Sequence, residues 1–352
     1  MHVRVIGAGI AGLACALELA ERGAAVEVLE CGQSLGSSSC SWYAGGMLAP
    51  WCELETAGPL VARLGSESLA WWRSRFSGAV FNGSLVVAHA RDAAELGQFG
   101  RRTERFEWLD GKAIAALEPD LGERFNKALY FREEGHLDPR AALAGLARQL
   151  GERGVPIRFG VDVAVGQLMT RPPLEQFVAR GAGARGCCVI DCTGLAARGV
   201  LKDLRGVKGE MLLLRLRDVS LSRPIRVLHP RFPLYIVPRT DGLYMVGATM
   251  IESDEPTRIT ARSMLELLSA AYALHPAFGE AEITEIGTGV RPAFPDNLPR
   301  ISWHGGVLYV NGLYRHGFLL APALACRAAQ VVLEDRHFPE VMREDTRERC
   351  LV

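Results

Sequence analysis

Three glycines spaced as Gly7-x-Gly9-x-x-Gly12 stand between a β-branched run, Val3 to Ile6, and an apolar helical stretch, Leu13 to Arg22. The first glycine permits a tight turn and the second lets backbone approach a pyrophosphate. The third lets the helix pack close on the strand, so that free amides at the helix N-terminus face the anion. Gly23 ends the helix, Ala25 to Leu29 reads as the next strand, and Glu30 is placed to accept hydrogen bonds from a ribose diol. Strand, glycines, helix, strand and acidic residue occur in order. That order favours a dinucleotide site over a glycine-rich turn with no ligand, but it does not separate FAD from NAD, which share the ADP half.

Other chemistries lack their residues. The eight histidines show no metal-ligand spacing, no CxxC pair suggests zinc, and no Ser/His/Asp order suggests hydrolysis. No metal site is expected. Forty basic residues balance forty acidic ones, which gives no support for a nucleic-acid or anionic-membrane partner. Nine cysteines without regular spacing do not make a disulfide framework, and reduced thiols in a cytoplasm fit best. The opening MHVRVIGAGIAG has no secretory pattern. The apolar stretch Gly317 to Leu333 contains Pro322 and Arg327, so a buried helix is expected there, not a membrane span.

These residues need elements to position them. With 352 residues, 49% hydrophobic and 23% charged, the chain suits two soluble domains at roughly 150 residues each. Asp138 can cap a helix that Pro139 begins, continuing as AALAGLARQL. CCVIDCTG reads as a buried parallel strand feeding a turn. LYIVPR and LYMVGATM, joined by Thr240-Asp241-Gly242, read as a hairpin, followed by a helix over about Thr260 to Ala273. Val307 to Val310, the loop NGLYRHG and a helix from Leu319 to Glu334 return to the strand-turn-helix style.

The fingerprint, AGGMLAP (Ala44 to Pro50), YIVPR with GATM (Tyr235 to Met250), GVRP with DNLP, and GLYRHGFLLAP together resemble the D-amino-acid-oxidase-related FAD-dependent oxidoreductases. Within these they are most similar to the glycine oxidase branch of thiamine biosynthesis. The resemblance runs from Val3 to about Leu333. It implies an α/β fold, with a Rossmann-type FAD-binding domain plus an α+β substrate domain carrying a large, mostly antiparallel sheet. The expected division is 1–83, 138–205 and 284–352 for the FAD domain, and 84–137 and 206–283 for the substrate domain. It further implies that Ile10, Ala11 and Glu30 hold the ADP moiety, with Val163 on the adenine side through its backbone. Gly45, Gly46 and Met47 would lie against the isoalloxazine, helped by the loop around Cys40 and Ser41, because paired glycines let a flat ring approach. Thr193 and Gly194 would sit at the sheet's carboxyl edge beside the pyrophosphate. Leu313, Tyr314, Arg315, His316, Gly317, Phe318 and Leu319 would wrap the pyrimidine end.

An arginine is by default a solvated surface residue. Arg291 instead lies between glycines and a proline in an apolar neighbourhood, and it matches the carboxylate-binding arginine of the look-alikes. A guanidinium's planar fork suits a carboxylate. Arg315 resembles a second family arginine at the substrate's edge. Tyr235 offers a hydroxyl from the hairpin, and Met250 resembles a pocket-lining position. Two departures bear on substrate preference: Pro233 where some relatives have histidine, and His316 where asparagine is expected. No cysteine lies between Cys192 and Cys326, so the FAD is expected to be non-covalent. The resulting expectation is oxidation of a small amino acid, glycine first, with O2 as acceptor and hydrogen peroxide as product. The alternatives are a flavin dehydrogenase for a larger amino acid or secondary amine, a non-catalytic dinucleotide-binding sensor or scaffold, and a nicotinamide dehydrogenase. A homo-oligomer is allowed by the sequence and not fixed by it.

Overall fold

In the computed structural model the described residues are 1–163, 187–228, 234–255 and 257–342. Pro233, expected to bear on substrate preference, lies outside them. Two sheets organise the chain. The first has six strands in the order Arg300–His304, Val307–Asn311, Cys187–Asp191, His2–Ile6, Ala25–Leu29 and Ile157–Arg158. Five of them run parallel, and Arg300–His304 adds an antiparallel edge. His2–Ile6 sits at its centre because Val3 and Val5 are fully buried, as a doubly covered parallel strand requires. The helices Ile10–Glu21, Pro139–Glu152 and Gly317–Glu334 share one large core with this sheet.

Several local signals give the elements they predict. Asp138 Oδ1 accepts from the amides of Arg140 at 2.8 Å and Ala141 at 2.9 Å, capping Pro139–Glu152. Asp241 and Gly242 both take positive φ (60° and 65°), the turn that matches the twist of the hairpin Leu234–Pro238 and Leu243–Gly247. Thr260 Oγ1 accepts from the Ser263 amide at the start of Ala261–Leu274. Gly317–Glu334 is long and apolar enough to cross a membrane, yet it packs in the core against Ile10–Glu21 and Pro50–Arg75.

The second sheet has nine strands. Its path runs Ile251–Glu252, Arg205–Arg215, Leu243–Gly247, Leu234–Pro238, Ile225–Leu228, Ser84–Ala88, Lys127–Phe131 and Glu107–Asp110. Glu282–Ala293 pairs antiparallel along the far side of Arg205–Arg215. The break expected at 284 therefore falls inside a strand of this sheet, and Arg291 stands on the antiparallel sheet and not on the parallel one. One face of the sheet carries Leu212, Leu214, Ile236, Tyr244 and Val246, covered by Ala261–Leu274. The other face is where the site forms.

Pro50–Arg75 is a helical segment of two helices joined at a kink, which the sequence reading did not anticipate. Pro50 takes the first helical turn, where its missing N–H costs nothing. Gly58 leaves helical geometry (φ 79°, ψ 176°) just before Pro59, which breaks the helical period in the sequence.

Candidate active site

The nucleotide end begins at the fingerprint. A Cβ on Gly12 would lie 1.8 Å from the Gly7 carbonyl oxygen, and one on Gly7 would lie 2.8 Å from the Cys192 carbonyl oxygen. Both glycines exist for close packing, and Gly7 also needs its φ of 96°. Gly9 caps the helix with no side chain, so its first amides face a groove of about 880 Å³. Gly7, Gly9, Ile10, Ala11, Glu30, Val163, Thr193, Gly194 and Leu313 line that groove. Gly12 does not line it and acts through packing.

Glu30 closes one end of the groove. Its Oε1 accepts from Ser38 Oγ at 2.6 Å and the Gly32 amide at 2.7 Å, and its Oε2 accepts from the Ala8 amide at 2.6 Å. Burial would raise its pKa, but these donors, Ser38 first, outweigh burial and hold it below the ordinary carboxylate value. The Cys31 thiol adds a donor to Oε1 at 3.4 Å, and Oε2, with one donor on its two lone pairs, keeps capacity for a hydroxyl. At the opposite wall Asp191 Oδ1 accepts from the Thr193 amide and hydroxyl at 2.9 and 2.7 Å. Asp191 Oδ2 is buried with no hydrogen-bond partner among the described residues. The Ile10 amide donates to Ser41 Oγ at 3.2 Å; a groove with a helix N-terminus, a fixed acid and an orphaned buried acceptor fits the ADP half of FAD.

A second cavity continues from the first. Ile10, Cys40, Ser41, Tyr43, Gly289, Tyr314 and Gly317 line both. Gly45, Gly46, Met47, Tyr235, Met250, Arg291, Arg315, His316, Phe318 and Leu319 line the second alone. The period of two along a strand explains the convergence. Arg291, Gly289 and Gly287 alternate onto one face. Their cross-strand partners Val207, Gly209 and Met211 share it, and Met211 in turn opposes Gly247, which opposes Tyr235. The glycines lower this face. A Cβ on Gly289 would press on Cys40 at 3.1 Å, and one on Gly287 on Tyr43 at 2.4 Å. The loop bearing Cys40 and Tyr43 thus lies directly on the sheet.

Two arginines clamp the surrounding loops. Arg239 donates to the carbonyls of Leu137 at 2.9 Å and Gly45 at 2.7 Å, fixing the paired glycines. Arg140 pairs with Glu285 at 2.5 Å and lies over the Trp42 ring at 4.8 Å. Both are residues the sequence reading did not single out.

Arg291 and Arg315 differ in their partners. Arg291 Nη1 donates to the Thr249 carbonyl at 3.1 Å, and no carboxylate among the described residues pairs with it. Burial, with the Arg315 charge beside it, lowers its pKa from the ordinary value. Arg315 Nη2 instead meets Glu53 Oε2 at 2.5 Å and the Tyr235 hydroxyl at 3.1 Å, while Nη1 lies 3.3 Å from Met250 Sδ. Tyr235 donates its hydroxyl to Glu53 Oε1, so that proton is already committed.

Glu53 is the functional residue that sequence reasoning missed. It is 5% exposed in the first turn of Pro50–Arg75. Burial would raise its pKa, but Arg315, then His316 and Arg226, hold it down at about 2. His316 Nδ1 lies 3.8 Å from Glu53, and burial pushes that imidazole down to about 4, so it is neutral near pH 7. Its signal was present in Pro50 at N1 followed by an acid in the first turn. Met250 is 43% exposed and stands at the cavity mouth. Among the described residues no cluster of three or more metal-ligating side chains occurs.

Comparison with known proteins agrees with this geometry. The family model of FAD dependent oxidoreductases, DAO, matches residues 2–331. A Rhizobium etli protein named for thiamine biosynthesis as the oxidoreductase ThiO is 53% identical, over 97% of this chain and 99% of its own. A glycine oxidase of Bacillus licheniformis is 29% identical over 94% of this chain and 92% of its own. The crystal structure of a Bacillus cereus glycine oxidase shares the fold, with a TM-score of 0.77 at 24% identity over 98% of this chain and 99% of that one. The chain belongs to the DAO family of FAD dependent oxidoreductases.

Proposed function

We propose that this chain oxidises glycine to the imine of glyoxylate, with O2 taking the electrons as hydrogen peroxide, in supply of thiamine thiazole synthesis. The observation that carries the reading is Arg291, a half-buried guanidinium that faces the cavity without a carboxylate partner among the described residues. The names of the Rhizobium and Bacillus licheniformis relatives support the substrate and the pathway.

Gly7, Gly9, Ile10, Ala11, Glu30, Val163, Thr193 and Gly194 would hold the ADP half of FAD, with Gly12 keeping the helix in place. Cys40, Ser41, Gly45, Gly46, Met47 and the segment Leu313 to Leu319 would enclose the ring system without a covalent bond. When bound, FAD would accept the hydride, with its two electrons, that leaves the substrate α-carbon. Arg291 grips the carboxylate through two parallel charge-assisted bonds and so fixes the α-carbon. Tyr235, Met245 and Met47 wall the cavity. Neutral His316 adds no charge of its own beside Glu53. Glycine loses two electrons and two protons to give the imine, and oxygen gains both to give peroxide. Water then hydrolyses the imine unless thiazole synthesis consumes it.

The test is to mix the purified yellow holoprotein with glycine without air and follow the visible flavin band. Bleaching by glycine, then peroxide formed mole for mole with glycine consumed once air is admitted, supports the reading. Flavin untouched by glycine but bleached by a larger or secondary amino acid would overturn it.

A further inference from the structure

We propose that Glu53 restricts this site to substrates with a single carboxylate, by occupying Arg315; the inference rests on the amino-acid oxidase reading above. Two guanidinium groups face one cavity. A substrate with two carboxylates on one amine, such as an iminodiacetate, could engage both. Only one of them is available. Arg315 is held by Glu53 at 2.5 Å in a buried ion pair, whereas Arg291 meets only the Thr249 carbonyl among the described residues.

Glu53 is itself fully engaged. Oε2 takes Arg315, and Oε1 takes the Tyr235 hydroxyl. The first turn of Pro50–Arg75 favours the anion there. The remaining nearby cation, Arg226, lies 3.9 Å from Glu53 but also 3.6 Å from Glu55, and it donates to the Cys52 carbonyl at 2.8 Å. Removing the Glu53 charge therefore releases Arg315 and leaves Arg226 with a partner. A buried guanidinium stripped of its counter-ion is costly, and a ligand carboxylate relieves that cost. Arg315 lies toward the mouth, beside the exposed Met250, where the outer end of a longer ligand would arrive.

The experiment titrates the holoprotein with acetate and with malonate, reading the shift in the visible flavin spectrum to obtain each affinity without turnover. In Glu53→Gln the malonate-to-acetate affinity ratio should rise by at least about tenfold over wild type, the range of one charge-assisted bond. The rise should vanish in Glu53→Gln/Arg315→Met. Glu53→Ala repeats the measurement if Glu53→Gln does not fold. An unchanged ratio in a folded Glu53 variant, or a rise that persists in Glu53→Gln/Arg315→Met, overturns the proposal. Failure of glycine to bleach the wild-type flavin would sink the function reading separately, without altering these binding ratios.

Discussion

The Arg291 guanidinium lies directly over Gly209: a Cβ built on that glycine would sit 2.0 Å from Nη2 and 2.3 Å from Cζ. The two stand on neighbouring strands, on the face that lines the cavity. Gly209 is thus the space that lets the arginine lie flat along the sheet. Gly209→Ala should leave the fold intact, since the obstructing atoms belong to the end of a flexible side chain. It should cost glycine roughly tenfold or more in kcat/KM, because a displaced guanidinium no longer meets the carboxylate. Steady-state kinetics beside a normal flavin spectrum check this. Unchanged kinetics would mean that the arginine's resting place is irrelevant to substrate.

Glu30 predicts an effect on binding alone. Glu30→Ala removes the acceptor that organises the Ala8 and Gly32 amides and the Ser38 hydroxyl. FAD should dissociate more readily, by about tenfold or more, while molecules that keep their flavin are reduced by glycine at the wild-type rate. Equilibrium dialysis gives the first quantity and rapid mixing the second. Full flavin content with damaged reduction would contradict the assignment.

The Glu53 ion pair gives a pH dependence of defined sign. Its folded pKa, about 2, lies below the ordinary carboxylate value of 4.5. The pair's stabilisation is therefore present above about pH 4.5 and is lost as pH falls toward 2. Wild type should melt higher than Glu53→Gln by a constant margin between pH 7 and 5, and the margin should shrink below 4.5. A margin that persists unchanged at pH 3.5 would show that the charge is not what stabilises this position.

Heat or acid precipitation should release intact FAD into the supernatant. No cysteine lies between Cys192 and Cys326, and Cys326 sits within Gly317–Glu334, away from the cavity lining. Flavin that stays with the precipitated chain would rule out non-covalent binding.

What the sequence made legible was local. Gly7, Gly9, Gly12 and Glu30 announce themselves because turn, helix start and strand end follow within one short segment. Asp138 with Pro139, and Asp241 with Gly242, are equally self-contained. What stayed hidden depends on distant pairing. Glu53 meets Arg315 across 262 residues, and the Gly58 to Pro59 break conceals the helix that carries it. The strand Glu282–Ala293 shows exposed residues through its first half and glycines at 287 and 289, so it lacks the alternation that marks a strand. The break expected at 284 follows from that. Those same glycines open the site, so the weak strand signal and the function share one cause.

The central claim is that Arg291 anchors the substrate carboxylate. Rapid anaerobic reduction of the flavin by glycine should be measured in wild type, Arg291→Ala and Arg291→Lys, with visible spectra recorded alongside. Loss of the two-pronged charged contact should lower the apparent second-order rate by roughly a hundredfold in Arg291→Ala. Arg291→Lys should recover little, since an ammonium cannot reproduce the planar fork. Flavin content should be normal in both variants. An Arg291→Ala protein reduced at the wild-type rate, with wild-type dependence on glycine concentration, would contradict the account.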